Sequence, residues 1–255
     1  MNQKGGVGKS TSTVNISAAL AAMGKRVCVI DIDPQAHATQ HLGLELGYDA
    51  KSLYDVMKGK SKIAEVRRQV GENLWLIPAH LNMVAAEMEL VSSIGRDFIL
   101  QHKLAEDDFP LDYLFIDCPP SLGVYSINAL VAVQEVFVPI LPHYLALHGL
   151  MSFVDSLEVI GQLNKSLRLS GIIVCQIDNT NLAKEVVQDI ADFLSHRDKL
   201  PAICRDAVVF GTKIRRNVQL AEAPSHGKPI FDYDPNSPGA EDYRNLAAEI
   251  AEKFG

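Results

Sequence analysis

The sequence predicts an α/β fold: a single doubly wound, mostly parallel sheet flanked by helices. Three observations carry that expectation. Short β-branched runs alternate with helical patterns almost from end to end, a glycine-rich loop opens the chain, and two of the apolar runs end in aspartate.

The loop comes first. Lys4-Gly5-Gly6-Val7-Gly8-Lys9-Ser10-Thr11 fits the phosphate-loop pattern G-x-x-x-x-G-K-[ST], except that Lys4 stands where the first glycine belongs. In such a loop backbone N–H groups wrap the phosphates, the closing lysine reaches the outer phosphates and the hydroxyl reaches Mg²⁺. Gly5, Gly6 and Gly8 suit a backbone that approaches phosphate closely at dihedrals a Cβ would obstruct. A helical pattern over residues 10–23 follows at once, and its N-terminus completes an anion site. Nucleotide binding by Gly5, Gly6, Val7, Gly8, Lys9, Ser10 and Thr11 is the strongest inference available.

The remaining elements follow in order. Residues 27–32, 74–77, 113–116, 136–141 and 171–177 read as strands. Residues 83–90, 124–133, 145–163, 182–194 and 241–254 read as helices. No linker, repeat or low-complexity tract divides the chain, so residues 1–255 read as one phosphate-loop domain. The start breaks the rule that a phosphate loop hangs from a buried strand, because only Met1, Asn2 and Gln3 precede Lys4. A first strand of about six residues is expected there, truncated in this sequence. Its absence leaves a slot in the sheet, filled by upstream residues or by something else, at a cost of ~1.5 to 3 kcal/mol per unburied aliphatic side chain.

Bulk properties bound the function. The chain has 255 residues, 47% hydrophobic and 22% charged, enough for a core without disulfide or metal support. No apolar run approaches the ~20 residues of a membrane span, and no secretory signal opens the chain, which points to the cytoplasm. A formal net charge of -7 argues against a chain wrapped generally in nucleic acid, while leaving room for a local basic patch. Cys28, Cys118, Cys175 and Cys204 are scattered among apolar residues and read as core thiols. His37 and His41 stand four apart with no carboxylate or cysteine at ligand spacing, and read as a solvated helix face.

Two strand ends supply the chemistry. Asp31-Ile32-Asp33-Pro34 closes one strand, and residues i and i+2 point the same way. Asp117-Cys118-Pro119-Pro120 closes another, at the edge where parallel sheets bind ligands. Asp117 is the expected carboxylate for Mg²⁺, directly or through water, with Ser10 as its hydroxyl partner. Asp33 is expected to orient the attacking water, Lys9 to hold the β- and γ-phosphates and Thr11 to touch the α-phosphate. Lys4, at the outer lip, serves its own nucleotide or one bound by a facing subunit.

These residues resemble the ParA/Soj/MinD group of deviant-Walker ATPases, and most closely the ParA/Soj partition proteins. The resemblance spans N-Q-K-G-G-V-G-K at 2–9, D-I-D-P-Q at 31–35, I-D-C-P-P-S-L-G at 116–123 and A-E-A-P-S-H-G-K-P-I at 221–230. It implies a weak Mg²⁺-dependent ATPase that forms an ATP-sandwich homodimer, with Lys4 crossing to the partner's phosphates as a catalytic residue beside Lys9 and Asp33. It also implies Asn217 and Pro224 at the nucleotide, nonspecific DNA binding by the ATP-bound dimer, a nucleoid-associated protein, and a ParB-like partner that stimulates hydrolysis. The cargo is a plasmid, a chromosome, or a protein cluster or organelle. The chain departs from the partition pattern at Gln176, where an apolar residue is usual, at Arg215 for proline, at Gln219 for arginine, and at His143 and His148 for carboxylates.

Lys213, Arg215 and Arg216 form a short basic cluster, expected to contact DNA phosphates without reading bases. Two alternatives stand beside this reading. A MinD-like membrane-cycling ATPase would end in a basic amphipathic helix, whereas residues 241–255 carry acidic side chains that anionic lipid would repel. A metabolic P-loop enzyme would need an acceptor pocket or cluster ligands, for which the sequence carries no sign.

Overall fold

Alternation of β-branched runs and helices becomes two sheets in the computed structural model, which describes residues 5–255. The first holds β1 (Val27–Asp31), β2 (Arg68–Gly71), β3 (Leu74–Ile77) and β4 (Tyr113–Asp117) in the order β2-β3-β1-β4. The second holds β5 (Glu135–Ile140), β6 (Arg168–Val174) and β7 (Val208–Val209) in the order β5-β6-β7. Every pairing is parallel except β2 with β3.

The helices are α1 (Lys9–Ala22), α2 (His37–His41), α3 (Leu53–Met57), α4 (Ile63–Val66), α5 (Met83–Val91), α6 (Ile99–Ala105), α7 (Val124–Ala132), α8 (Ala146–Ile160), α9 (Asn181–Ser195), α10 (Val218–Glu222), α11 (Ile230–Tyr233) and α12 (Pro238–Phe254). β1 shows why the sheet is covered on both faces. Its five residues are all buried, and alternate side chains go to opposite sides. Val27 and Val29 join the core with α1 and α12, whereas Cys28 and Ile30 join the core with α3 and α7. A strand buried on both faces reads as a continuous apolar run, which made it legible. The second sheet has its own core, in which Ile172 and Val174 pack with Phe153 and Leu157 of α8 and Ile190 of α9.

The expected slot has a counterpart. Among the described residues no strand lies between β4 and β5, and a cavity of about 490 Å³ lies there, lined by Tyr113, Phe115, Val136, Phe137, Ile250 and Phe254. β4 consequently stays only half-buried over Tyr113–Ile116, unlike its neighbour β1.

Candidate nucleotide site

Glycine geometry shapes the loop. Gly6 and Gly8 adopt φ of 72° and 91°, left-handed conformations that favour glycine. Gly8 is the N-cap of α1 and offers no side chain to bond the first-turn N–H groups. Those donors therefore stand available to an anion at the positive end of the helix macrodipole. Val7, 1% exposed, anchors the loop in the protein rather than facing a ligand. Lys4 lies outside the described residues.

The loop forms one wall of a cavity of about 1030 Å³, to which Gly5, Gly6, Gly8, Lys9, Ser10 and Thr11 contribute. Asp33 lines it from the β1 side, and Arg215, Arg216, Asn217 and Pro224 line it from across. Most of the residues expected from the sequence thus converge on one cavity. Asn217 caps α10 by accepting from Leu220 N at 3.1 Å through Oδ1. Gln176, at φ 53°, also lines the cavity, with Nε2 3.5 Å from Gly6 O.

The carboxylates divide their roles. Asp117 faces Asp31 across the β4–β1 pairing, and both are buried. Asp117 accepts a hydrogen bond from Ser10, lies 3.5 Å from Thr13 Oγ1 through Oδ1, and keeps Oδ2 buried without a partner among the described residues. Burial raises its pKa, with Ser10 opposing. Asp31 is also raised, first by burial and then by Asp117. Lys9 lies among these acids: burial lowers its pKa, and Asp117 and then Asp33 oppose.

Asp31 anchors structure instead of facing the ligand. Its Oδ2 accepts from Thr39 N at 2.8 Å and Thr39 Oγ1 at 2.7 Å, and its Oδ1 accepts from Asp33 N at 3.2 Å. Thr39 Oγ1 in turn accepts from Ala79 N at 3.0 Å. Asp33 follows the strand and accepts from Gln35 N at 2.9 Å. The i, i+2 argument holds for a continuous strand, but β1 stops at Asp31, and the turn separates the two aspartates into anchor and site residue.

Sequence reasoning also missed the supports of α1. Asn15 Nδ2 donates to Thr11 O at 2.8 Å, and its Oδ1 accepts from Ile230 N at 2.7 Å. Ser12 Oγ meets Tyr243 OH at 3.0 Å, tying the loop helix to α12. Polar residues on a helix beside a binding loop were the only signal. His41, expected on a solvated face, is instead 1% exposed, while His37 is exposed. The short α2 packs one side against the 223–226 turn, so a four-residue spacing does not keep both rings in water. Burial pushes His41 down to about 4.

The basic cluster is largely engaged. Arg215 Nε and Nη2 donate to Asp242, Nη2 donates to Glu241 Oε2 at 2.6 Å, and the Arg215 N–H donates to Asp242 Oδ2 at 2.8 Å. Lys213 Nζ donates to the carbonyls of Phe210 and Gly211, both at 3.1 Å. Arg215 is thus the member of the cluster held in ion pairs, while Arg216 acts electrostatically on the Asp178 carboxylate, after Thr180.

Comparison with known proteins accords with this geometry. An AAA domain family profile matches residues 1–169. The chain is 42% identical to the sporulation initiation inhibitor protein Soj of Bacillus subtilis, covering 98% of this chain and 96% of that protein. It is 41% identical to the chromosome-partitioning ATPase Soj of Treponema pallidum, covering 100% and 96%. The chain belongs to the ParA/Soj family of ATPases. Its fold matches cobyrinic acid a,c-diamide synthase of Mycobacterium smegmatis, solved with ADP and magnesium, at a TM-score of 0.82 and 32% identity over 100% of this chain and 93% of that one. The α/β architecture is therefore shared with that structure.

Proposed function

We propose that residues 1–255 act as one Mg²⁺-dependent, weak ATPase that pairs into a homodimer around ATP, binds DNA without sequence preference and partitions a cargo with a ParB-like partner. The observation that carries this reading is the uncapped N-terminus of α1 behind Gly6 and Gly8, with Lys9 set between Asp33 and Asp117. The partitioning relatives, at 42% and 41% identity over nearly the whole chain, support it.

Lys9 and the loop amides hold the β- and γ-phosphates, and Thr11 touches the α-phosphate. Asn217 and Pro224 meet the nucleoside end. Ser10 and Asp117 fit a magnesium ion, because the unpartnered, buried Oδ2 of Asp117 needs a cation or water to satisfy it. When bound, the ion neutralises charge on the β- and γ-oxygens. Asp33 orients the attacking water, and Lys4 reaches the nucleotide of the partner subunit. Asp33 itself is held by the bond from its N–H to Asp31, so the water-orienting group is positioned before ATP arrives.

The MinD-like alternative loses support from α12. Its apolar residues Tyr243, Leu246, Ala247 and Ile250 are buried in the protein, leaving no apolar face for lipid. Among the described residues no helix is long and apolar enough to cross a membrane. The metabolic alternative draws on the 32% identical synthase, and the higher identity to partitioning relatives weighs against it.

DNA retention with ATP, ADP or no nucleotide tests the proposal, run beside Lys4→Ala and Asp33→Ala. Retention only with ATP, lost in Lys4→Ala and persisting without hydrolysis in Asp33→Ala, is the expected result. A chain that stays monomeric with magnesium and a non-cleavable analogue sinks the dimer and the switch together.

A further inference from the structure

The loop between β7 and α10 carries Lys213, Arg215 and Arg216, yet it is not a positive surface as it stands. Arg215 is met by Glu241 and Asp242 of α12 and Lys213 by backbone carbonyls, while Asp178, whose carboxylate is held down first by Thr180 and in part by Arg216, and Glu249 of α12 stand beside the same loop. These four carboxylates do different jobs. Glu249 accepts from Gly211 N at 2.7 Å and Thr212 N at 3.0 Å, which fixes the loop backbone. Asp242, with its side chain 8% exposed, grips both the Arg215 backbone and its guanidinium. Glu241 differs: its side chain is 62% exposed, and its one described bond goes to Arg215 Nη2.

We propose that Glu241 sets the DNA affinity of this surface. The inference rests on the reading that Lys213, Arg215 and Arg216 contact DNA. A solvent-exposed ion pair is weak and salt-screened, so a phosphate oxygen competes with Glu241 for the same Nη2 of Arg215. Even when displaced, Glu241 stays on the surface and repels the phosphate. Asp242 keeps the guanidinium in place throughout, so the arginine is pre-oriented while its outer N–H is contested. The affinity of each subunit is thereby held below what three cations would supply, which suits a protein that must leave DNA after hydrolysis.

Nonspecific DNA binding by the full chain, with magnesium and a non-cleavable ATP analogue, is measured from 50 to 200 mM salt for the wild type, Glu241→Gln, Glu252→Gln, Lys213→Glu and Arg216→Glu. Glu252 lies exposed further along α12 and controls for net charge alone. The expected result is tighter binding by Glu241→Gln only. Its salt slope rises by about 0.9 per released guanidinium, which is about 3.5-fold more affinity lost across that salt range. An unchanged Glu241→Gln, with Lys213→Glu and Arg216→Glu both weakened, overturns the role of Glu241 and leaves the DNA surface standing. Equal gains in Glu241→Gln and Glu252→Gln also overturn it, in favour of bulk charge. Intact binding in Lys213→Glu and Arg216→Glu removes the DNA surface itself, and the role of Glu241 with it.

Discussion

Thr39→Val isolates the polar support behind the site with little change in volume. Val retains the backbone N–H that bonds Asp31, but loses Oγ1, which donates to Asp31 at 2.7 Å and accepts from Ala79 N at 3.0 Å. Losing a hydrogen bond to an acidic group costs about 1.5 kcal/mol at the lower end, appropriate to a carboxyl whose pKa is raised. Leaving the buried Ala79 N–H unsatisfied costs about 1 to 3 kcal/mol more. The expected loss is therefore about 3 kcal/mol, or roughly 6 to 12 °C in Tm for a domain of this size. Thr39→Ser, which keeps both bonds and removes one buried methyl, should cost about 1 kcal/mol. Thermal and urea unfolding at pH 7.5 without nucleotide measure both variants. Because Asp31 also receives the Asp33 N–H, hydrolysis should slow in Thr39→Val under conditions where it remains folded. A Thr39→Val loss no greater than that of Thr39→Ser would refute the assignment of Thr39 as the hub joining β1, α2 and the end of β3.

Other tests address the carboxylates and the buried histidine. Asp117→Asn should lose magnesium-dependent nucleotide affinity and hydrolysis while unfolding at an equal or higher temperature, since a buried acid with a raised pKa is traded for a neutral group; calorimetric nucleotide titration with and without magnesium, beside a melting curve, checks both. A lower melting temperature with magnesium dependence intact would contradict it. His41 is held at about 4 in the fold, below its ordinary 6.5, so the unfolded chain takes up the proton first as pH falls. Its contribution is complete above pH 6.5 and is lost between 6.5 and about 4, amounting to about 3 kcal/mol. His41→Asn should flatten the difference between urea midpoints at pH 7.5 and pH 5, and an unchanged difference would contradict the burial argument.

Legibility followed how local each cause was. The strand at 74–77 and the helical patterns at 83–90 and 124–133 agree closely with β3, α5 and α7, because apolar periodicity is written within each segment. β2, Arg68-Gln69-Val70-Gly71, was missed because its pattern is polar and its pairing exists only beside β3. The two-residue β7 and the short α2, α3 and α4 lack a period long enough to detect. The left-handed turns at Gly6 and Gly8 were legible because the glycines, the lysine and the hydroxyls of the loop lie in one stretch. Arg215 was legible as a cation and not as a paired one, because Asp242 lies 27 positions away.

By itself the sequence determined the α/β class and pointed to the glycine-rich loop and the strand-end aspartates 33 and 117, since each is a pattern written within one short segment. Tertiary structure alone decided that Asp31 anchors α2, that His41 is buried, that Asn15 and Ser12 brace the loop helix, and that α12 takes hold of Arg215. Those outcomes depend on which surfaces meet across long stretches of chain, and contact between segments fixes burial and charge pairing where composition and spacing leave them open.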